Sequence, residues 1–302
     1  MIIYTFLTNP PHIHRSRCNK GGTNLFEISF RKETDALAVF MSLLQKNPES
    51  DSILSLHKEK IVVESKDKLF IKNTIIPVFK QYIQGVKITE WVMSILENTY
   101  YFKDVEEQEQ ILCILQSLLL GERSDIPNLP SVEQRENILE NVMDAFFEKP
   151  ISFSFDSFLT FRLKKYFESI HIYLESAIDE YKLEQEYQSF IHQLRNLLTT
   201  TEPKMEELHL LYQYQFDFYD KTFKLIPKSQ LIKYMNRTHF NNYSYYIDSV
   251  VLAPLVSISP KKLYLYTDNA EHQLVETIKN IFEERVVVLP FHYFGQNKSK
   301  ID

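Results

Sequence analysis

Glycine is scarce in this chain. Among 302 residues there are five, Gly21, Gly22, Gly85, Gly121 and Gly295. Phosphate-cradling loops need several glycines at fixed spacing, because the backbone itself must approach the phosphates. Neither a Walker loop nor a dinucleotide fingerprint can be drawn through these five. A Gly-x-Ser-x-Gly nucleophile elbow is missing as well. Cysteine is scarcer still, with Cys18 and Cys113 far apart, so there is no disulfide framework. No apolar run approaches the ~20 residues that span a bilayer. "MIIYTFLTNPP" lacks a basic start and meets proline early, so no signal peptide is expected and a reduced cytoplasmic setting follows. Net charge is −6, which argues against broad binding to nucleic acid, where phosphates must be neutralised.

What is abundant is aromatic, with 22 Phe and 18 Tyr. Apolar residues make up 44% and charged residues 25%, the balance of a folded globular protein. The length is close to that at which one core splits into two.

The first 70 residues read as a small mixed unit. "IIYTFLT" and "LFEISF" have strand character. "ETDALAVFMSLLQK" is helical, with Leu37, Phe40, Met41 and Leu44 on one face. "ILSLHKEKIVVES" suggests two strands and a tight reversal at Lys58 to Lys60. From about residue 73 the pattern is helical. "DVEE" caps a helix through "QILCILQSLLL", in which Cys113 reads as a small buried hydrophobe, and Gly121 ends it. The prolines of "IPNLPSVEQ" make a rigid connector, and Ser131 with Gln134 forms a capping-box pattern. A domain boundary is placed within 124–131, giving regions 1–125 and 126–302.

Residues 156–198 contain no Gly or Pro and read as one long helix. Leu159, Leu163, Phe167, Ile170, Leu174, Ile178 and Tyr181 share one face; Leu183, Tyr187, Phe190, Ile191, Leu194 and Leu198 share another. The stripe swings by roughly 130° between the two sets. The halves should therefore pack on different neighbours, or the helix should kink. Residues 206–290 read as an α/β unit. "LHLLYQYQ" and "DFYDKTFKLI" form a strand pair, "SQLIKYMNR" and "YSYYIDSVVLAPLVSI" read as helices, and "KLYLYT", "EHQLVETIKNIFEE" and "RVVVLP" make a strand-helix-strand with parallel strands. The expected fold class is α+β, predominantly helical.

Three constellations carry possible chemistry. "ESIH" (168–171) and "EELH" (206–209) each match the Glu-x-x-His half-set of a di-iron bundle, whose ligands project into the core. Glu168, Glu175 and Asp179 instead sit ~120–160° from the apolar stripe, with His171 at its border. Solvated charges with pairing such as Lys164 to Glu168 explain the first copy, and the second falls at a strand start, where helical geometry is lost. His12, His14 and Cys18 offer three ligand types without a matching second pair, so an exposed loop is the plainer reading. Asp217, Asp220, Lys221 and Lys224 on neighbouring strands could hold magnesium as in some nucleases, or form a charged hairpin edge. No metal and no cofactor is expected.

The long helix carries something more specific. Phe161, Arg162, Leu163, Lys164 and Tyr166 are followed by Ala177, Asp179, Glu180, Glu186, Tyr187, Phe190, Ile191, Leu194 and Arg195. With "EPK" at 202–204, His209, Tyr219, Asp220, Pro260 and Lys262, this pattern resembles the YtxC-like family of endospore-forming bacteria over about residues 150–290. The resemblance implies a cytoplasmic, sporulation-associated protein and brings no reaction, cofactor or partner. Two functions stay open. One is a non-catalytic interaction protein whose long helix docks a protein partner through Arg162, Lys164, Asp179, Glu180 and Arg195. The other is an enzyme or small-ligand binder with its site at the strand ends of the C-terminal region, where His209 and Asp220 are the groups to watch.

Overall fold

The computed structural model describes residues 25–123, 126, 129–149, 151–234 and 250–299. The strand reading of "IIYTFLT", the His12–His14–Cys18 loop and residues 243–249 of "YSYYIDSVVLAPLVSI" lie outside these. The chain is predominantly helical α+β, with two four-stranded mixed sheets. It folds as two compact units, Met1–Ile178 and Asp179–Asp302.

In the first unit, β1 (Phe26–Ser29), α1 (Glu33–Lys46), β2 (Leu54–His57) and β3 (Lys60–Val63) form the expected strand-helix-strand-strand. Lys58 takes a positive φ of 49° in the reversal between β2 and β3. A helical run follows: α2 (Lys68–Phe70), a π-helical turn (Ile71–Ile75), α3 (Ile76–Tyr82), a second π-helical turn (Ile83–Lys87) and α4 (Ile88–Asn98). Then come α5 (Val105–Leu120), α6 (Val132–Phe147), β4 (Phe153–Ser154) and α7 (Phe155–Arg162). The sheet order is β2-β3-β1-β4, with β4 parallel to β1 and the other pairs antiparallel. The helix caps follow the sequence. Asp104 accepts from the N–H groups of Glu106 and Glu107, Gly121 closes α5 in the left-handed region, and the Ser131–Gln134 capping box is formed in both directions.

The 124–131 connector joins α5 and α6, two helices of this same unit. α6, which follows it, packs against α3, which precedes it: Phe147 meets Phe79 edge-on at 6.0 Å and Glu140 pairs with Lys80 at 2.7 Å. β4 returns to the edge of β1, where the Glu27 N–H donates to Ser152 Oγ and the Arg31 N–H to Asp156 Oδ2. The compact units divide within α8 (Lys164–Thr200).

Three sequence readings are corrected. The long helix begins later, because α7 ends at Leu163, whose ψ of 10° interrupts the helical path and whose N–H reaches back to Phe158. Leu159 is consequently only half-buried, while Phe155 and Phe158 are buried. α1 buries Asp35, Ala36, Val39 and Leu43, and leaves Leu37 and Met41 exposed. With apolar residues on most of its surface, α1 takes its buried face from its neighbours and not from its own composition. Cys113 is exposed: α5 buries Ile111, Leu115 and Leu118, a stripe that a residue two positions after Ile111 misses by ~160°.

α8 itself is unbroken and serves two cores. Tyr166, Ile170, Tyr173, Leu174, Ala177 and Ile178 are buried in its first half; Phe190, Ile191, Leu194 and Leu198 belong to the core of the second unit. The expected swing of the stripe is therefore realised as a change of neighbours. Leu183, expected on the second face, is 51% exposed.

The second unit holds β5 (Glu207–Tyr212), β6 (Phe216–Tyr219), α9 (Lys228–Tyr234), α10 (Leu252–Ile258), β7 (Lys262–Tyr266), α11 (Gln273–Phe282), β8 (Val286–Leu289) and α12 (His292–Lys298). The order is β6-β5-β7-β8, with β6 antiparallel to β5 and the rest parallel. Leu208, Leu210, Leu263 and Leu265 alternate onto one face and meet α8, α10 and α11. The other face carries aromatic rings and is met by Phe294 of α12.

Phe79 is fully buried among the rings of Phe30, Phe147, Phe153 and Phe155. Phe79→Ala should cost about 3–5 kcal/mol in urea unfolding. Gly121→Ala should cost about 1–2 kcal/mol, since φ is +74° and the new Cβ would meet Val132 Cγ2 at 3.1 Å.

Candidate functional site

The second π-helical turn has a consequence for the side chains on either side of it. It inserts a wider loop of backbone between α3 and α4, and Thr89 Oγ1 donates to the Gly85 carbonyl at 2.8 Å. In an α-helix, residues five apart face ~140° away from each other. Here Tyr82 and Lys87 reach the same carboxylate. The Tyr82 hydroxyl donates to Asp35 Oδ1 at 2.8 Å and Lys87 Nζ to Asp35 Oδ2 at 2.6 Å. Lys87 also donates to Glu90 Oε2 at 2.7 Å and lies 5.6 Å from the centre of the Tyr82 ring. Both Asp35 and Lys87 are buried. Interrupted helices of this kind recur at functional sites.

Burial works against the Lys87 ammonium, but the hydrogen bonds to Asp35 and Glu90 outweigh it and raise its pKa. Burial, and then the bond to Asp35, push the Tyr82 phenol upward too. Both groups are thereby held protonated, so neither serves as a base near neutral pH. The arrangement is a fixed set of donors and acceptors.

Asp35, Lys87 and Glu90 of this network line an open cleft of about 1130 Å³ in the first unit. Arg31, Lys32, Asp156 and Lys164 stand at its charged part; Trp91, Ile95, Leu159 and Phe167 supply apolar surface. The ring of Trp91, the chain's single tryptophan, lies 5.2 Å from Phe167 and 6.1 Å from His171. Glu168 and His171 of "ESIH" both line the cleft. Glu168 pairs with Lys164 at 3.8 Å, and His171 lies between the rings of Trp91 and Tyr100 and within 3.7 Å of Glu175. Among the described residues no group of three His, Cys, Asp or Glu side chains gathers at metal-binding distance.

The residues singled out from the sequence are scattered. Lys164 lines the cleft, while Arg162 and Asp179 are exposed and Glu180 is half-buried. Arg195 is turned inward on its own unit: Nε donates to the Asn280 carbonyl at 2.7 Å and Nη2 pairs with Glu283 at 3.0 Å. It holds the last turn of α11, where Glu283 has a positive φ of 47°. Asp220 closes the loop after β6, accepting from the Thr222 N–H, the Thr222 hydroxyl and the Lys224 N–H. Partial burial opposes its charge, and these bonds prevail to lower its pKa. Asp217 accepts from Gln215, and Lys261 pairs with Glu206.

His209 is buried in the aromatic layer beneath α12. Its ring stacks on Phe223 at 4.2 Å and on Tyr264 at 5.1 Å, and Nδ1 is 3.1 Å from the Tyr266 hydroxyl. Burial lowers its pKa, more strongly than the carboxylates of Glu207 and Asp220 raise it. At the strand ends of this sheet, Asp268 accepts from the Phe291 N–H and His272 caps α11.

Sequence reasoning missed Asp35, Lys87, Glu90 and Trp91. The unpaired signal was Lys87 within an apolar helical stretch, which reads as solvent-facing unless the π turn is known.

A predominantly helical α+β chain with this order of elements is matched by the profile of the YtxC-like family over residues 73–287, and the chain belongs to that family. It is 36% identical over 273 residues to "Uncharacterized protein YtxC" of Bacillus subtilis (strain 168), covering 89% of this chain and 96% of that one. The likeness therefore reaches well before residue 150 and spans α4. No solved structure matches the chain.

Lys87→Met leaves two carboxylates without their buried cation and should cost about 3–5 kcal/mol of stability in urea unfolding. Tyr82→Phe removes one charge-assisted bond and should cost about 1.5–3 kcal/mol. His209 has a second, pH-dependent signature. Its folded pKa is depressed, so its contribution is complete above the unfolded value of about 6.5 and is lost as pH falls toward the folded value. His209→Phe keeps the stack and should flatten the loss of stability between about pH 7 and 5 relative to the parent.

Proposed function

We propose that the protein has a non-catalytic interaction role in the cytoplasm of sporulating cells, and that a protein partner docks in the Trp91 cleft. The family resemblance supports the sporulation setting. No helix among the described residues is long and apolar enough to cross a membrane, which fits that setting. The observation that carries the reading is the cleft itself: an open groove lined by the Asp35–Lys87–Glu90 network and by the chain's only tryptophan. Large aromatic side chains in such positions anchor protein interfaces. The state of the titratable groups supports recognition over chemistry. Lys87 and Tyr82 are held protonated, His209 is stacked inside its sheet, and Asp220 closes a loop.

The test is a crosslinking pull-down of the tagged protein from sporulating cells. Ser94→Arg fills the cleft from an exposed helical position; Arg162→Glu changes an exposed residue outside the cleft lining. A partner should be recovered with the parent and with Arg162→Glu, and lost with Ser94→Arg at unchanged thermal stability. Loss only with Arg162→Glu would move docking to the outer helix surface. Recovery of no specific partner by the parent would overturn the interaction reading.

A further inference from the structure

We infer that α12 is an acid-released latch: a proton taken up by the buried His209 undocks this helix from the aromatic face of the second sheet. The inference concerns the second unit and stands apart from the docking role of the Trp91 cleft.

α12 is held lightly. None of its residues is buried. Its hold on the sheet is the Phe294 ring, 4.8 Å from Tyr219 and 5.3 Å from both Phe223 and Tyr266, and the Asn297 amide, whose Nδ2 donates to the Tyr266 hydroxyl at 3.5 Å. Elements with so few buried contacts open locally at low cost.

Tyr266 joins this helix to His209. It is fully buried, so its hydroxyl proton needs an acceptor. Its polar contacts among the described residues are Asn297 Nδ2 and, at 3.1 Å, His209 Nδ1. An amide nitrogen only donates, so Nδ1 is the acceptor and the neutral imidazole carries its proton on Nε2. A proton on Nδ1 reverses the bond. The imidazolium then donates to the Tyr266 oxygen, and the hydroxyl proton turns toward Asn297, where it meets a second donor. The link to α12 is thus lost just when the buried ring becomes charged and gains from contact with water.

The surroundings match that charge poorly. Glu207 on the same strand and Asp220 beyond β6 favour it, but Asp220 already accepts three bonds from its own loop. Tyr219 of β6 and Tyr264 and Tyr266 of β7 add phenol rings and no carboxylate. Lys262 lies over the Tyr264 ring at 5.3 Å, exposed Lys221 and Lys224 flank Phe223, and α12 brings exposed His292, Tyr293 and Lys298. Burial prevails and lowers the His209 pKa. Undocking returns the ring toward its ordinary value of about 6.5. The undocked form therefore binds the proton more tightly, and below that value docking weakens by up to about tenfold per pH unit.

The test is hydrogen–deuterium exchange of the full chain at about pH 7 and 5, corrected for the intrinsic pH dependence of amide exchange and read over residues 291–299. Parent protection there should fall about tenfold while α11 keeps its own. His209→Phe retains the stack without a titrating group, and its α12 protection should be the same at both pH values. Asn297→Asp, at a half-buried position, gives the Tyr266 proton an acceptor and should keep α12 protected at the lower pH. Should His209→Phe not fold, the comparison with Asn297→Asp decides alone. Equal protection of the parent's α12 at both pH values overturns the inference; an Asn297 amide that turns its oxygen inward would produce that result. A fall retained by either variant, or shared by α11, overturns it as well.

Discussion

One carboxylate organises the first unit. Asp35 is buried on the inner face of α1 and receives a donor on each oxygen, Tyr82 from one side of a π-helical turn and Lys87 from the other. A buried ion costs several kcal/mol to desolvate, and that cost is offset only when the remaining bonds are made. Here they are made, with Glu90 taking the second bond of Lys87. The arrangement fixes the angle of α1 to the α3–α4 run and the depth of the helix that bears Trp91. A replacement by apolar side chains could match its stability. What the ions add is a buried polar network in a cleft lined by both charged and apolar side chains.

The second unit uses its buried histidine differently. Alternation along β5 sends Leu208 and Leu210 to the main core and His209 to the opposite face, where it stacks with Phe223, Tyr264 and Tyr266. Its hydrogen bond to Tyr266 and its lowered pKa are what a neutral ring in an aromatic layer requires. Arg195, on the other side of the same sheet, ties the end of α11 by donating to the Asn280 carbonyl and pairing with Glu283. Both residues stand out in the sequence for reasons that turn out to be architectural.

Local signals were legible where the chain itself supplies the partner. The caps at Asp104 and Ser131, the stop at Gly121, the strand reversal at Lys58 and the parallel pairing of β7 with β8 depend on neighbours a few residues away or on simple periodicity. The change of face along α8 was legible too, because a stripe that shifts by roughly 130° needs a new neighbour. The buried face of α1 was not, since Leu37 and Met41 are as apolar as Val39 and Leu43 and only the sheet and α3 choose between them. Cys113 was misread for a related reason: an apolar run is wider than the stripe that a helix can bury.

The sequence by itself determined the fold class, the succession of helices and strands and the exclusion of glycine-loop and elbow motifs, all of which follow from local composition and period, while the family resemblance was carried by particular residues of the long helix. The tertiary structure decided where polar groups meet. A helix read at 3.6 residues per turn sends Lys87 away from Tyr82, and the one wider turn that reverses this leaves no mark in residue type. The cleft follows from that turn, because Asp35, Glu90, Trp91 and Lys164 come from segments up to about 130 residues apart and only packing brings them together.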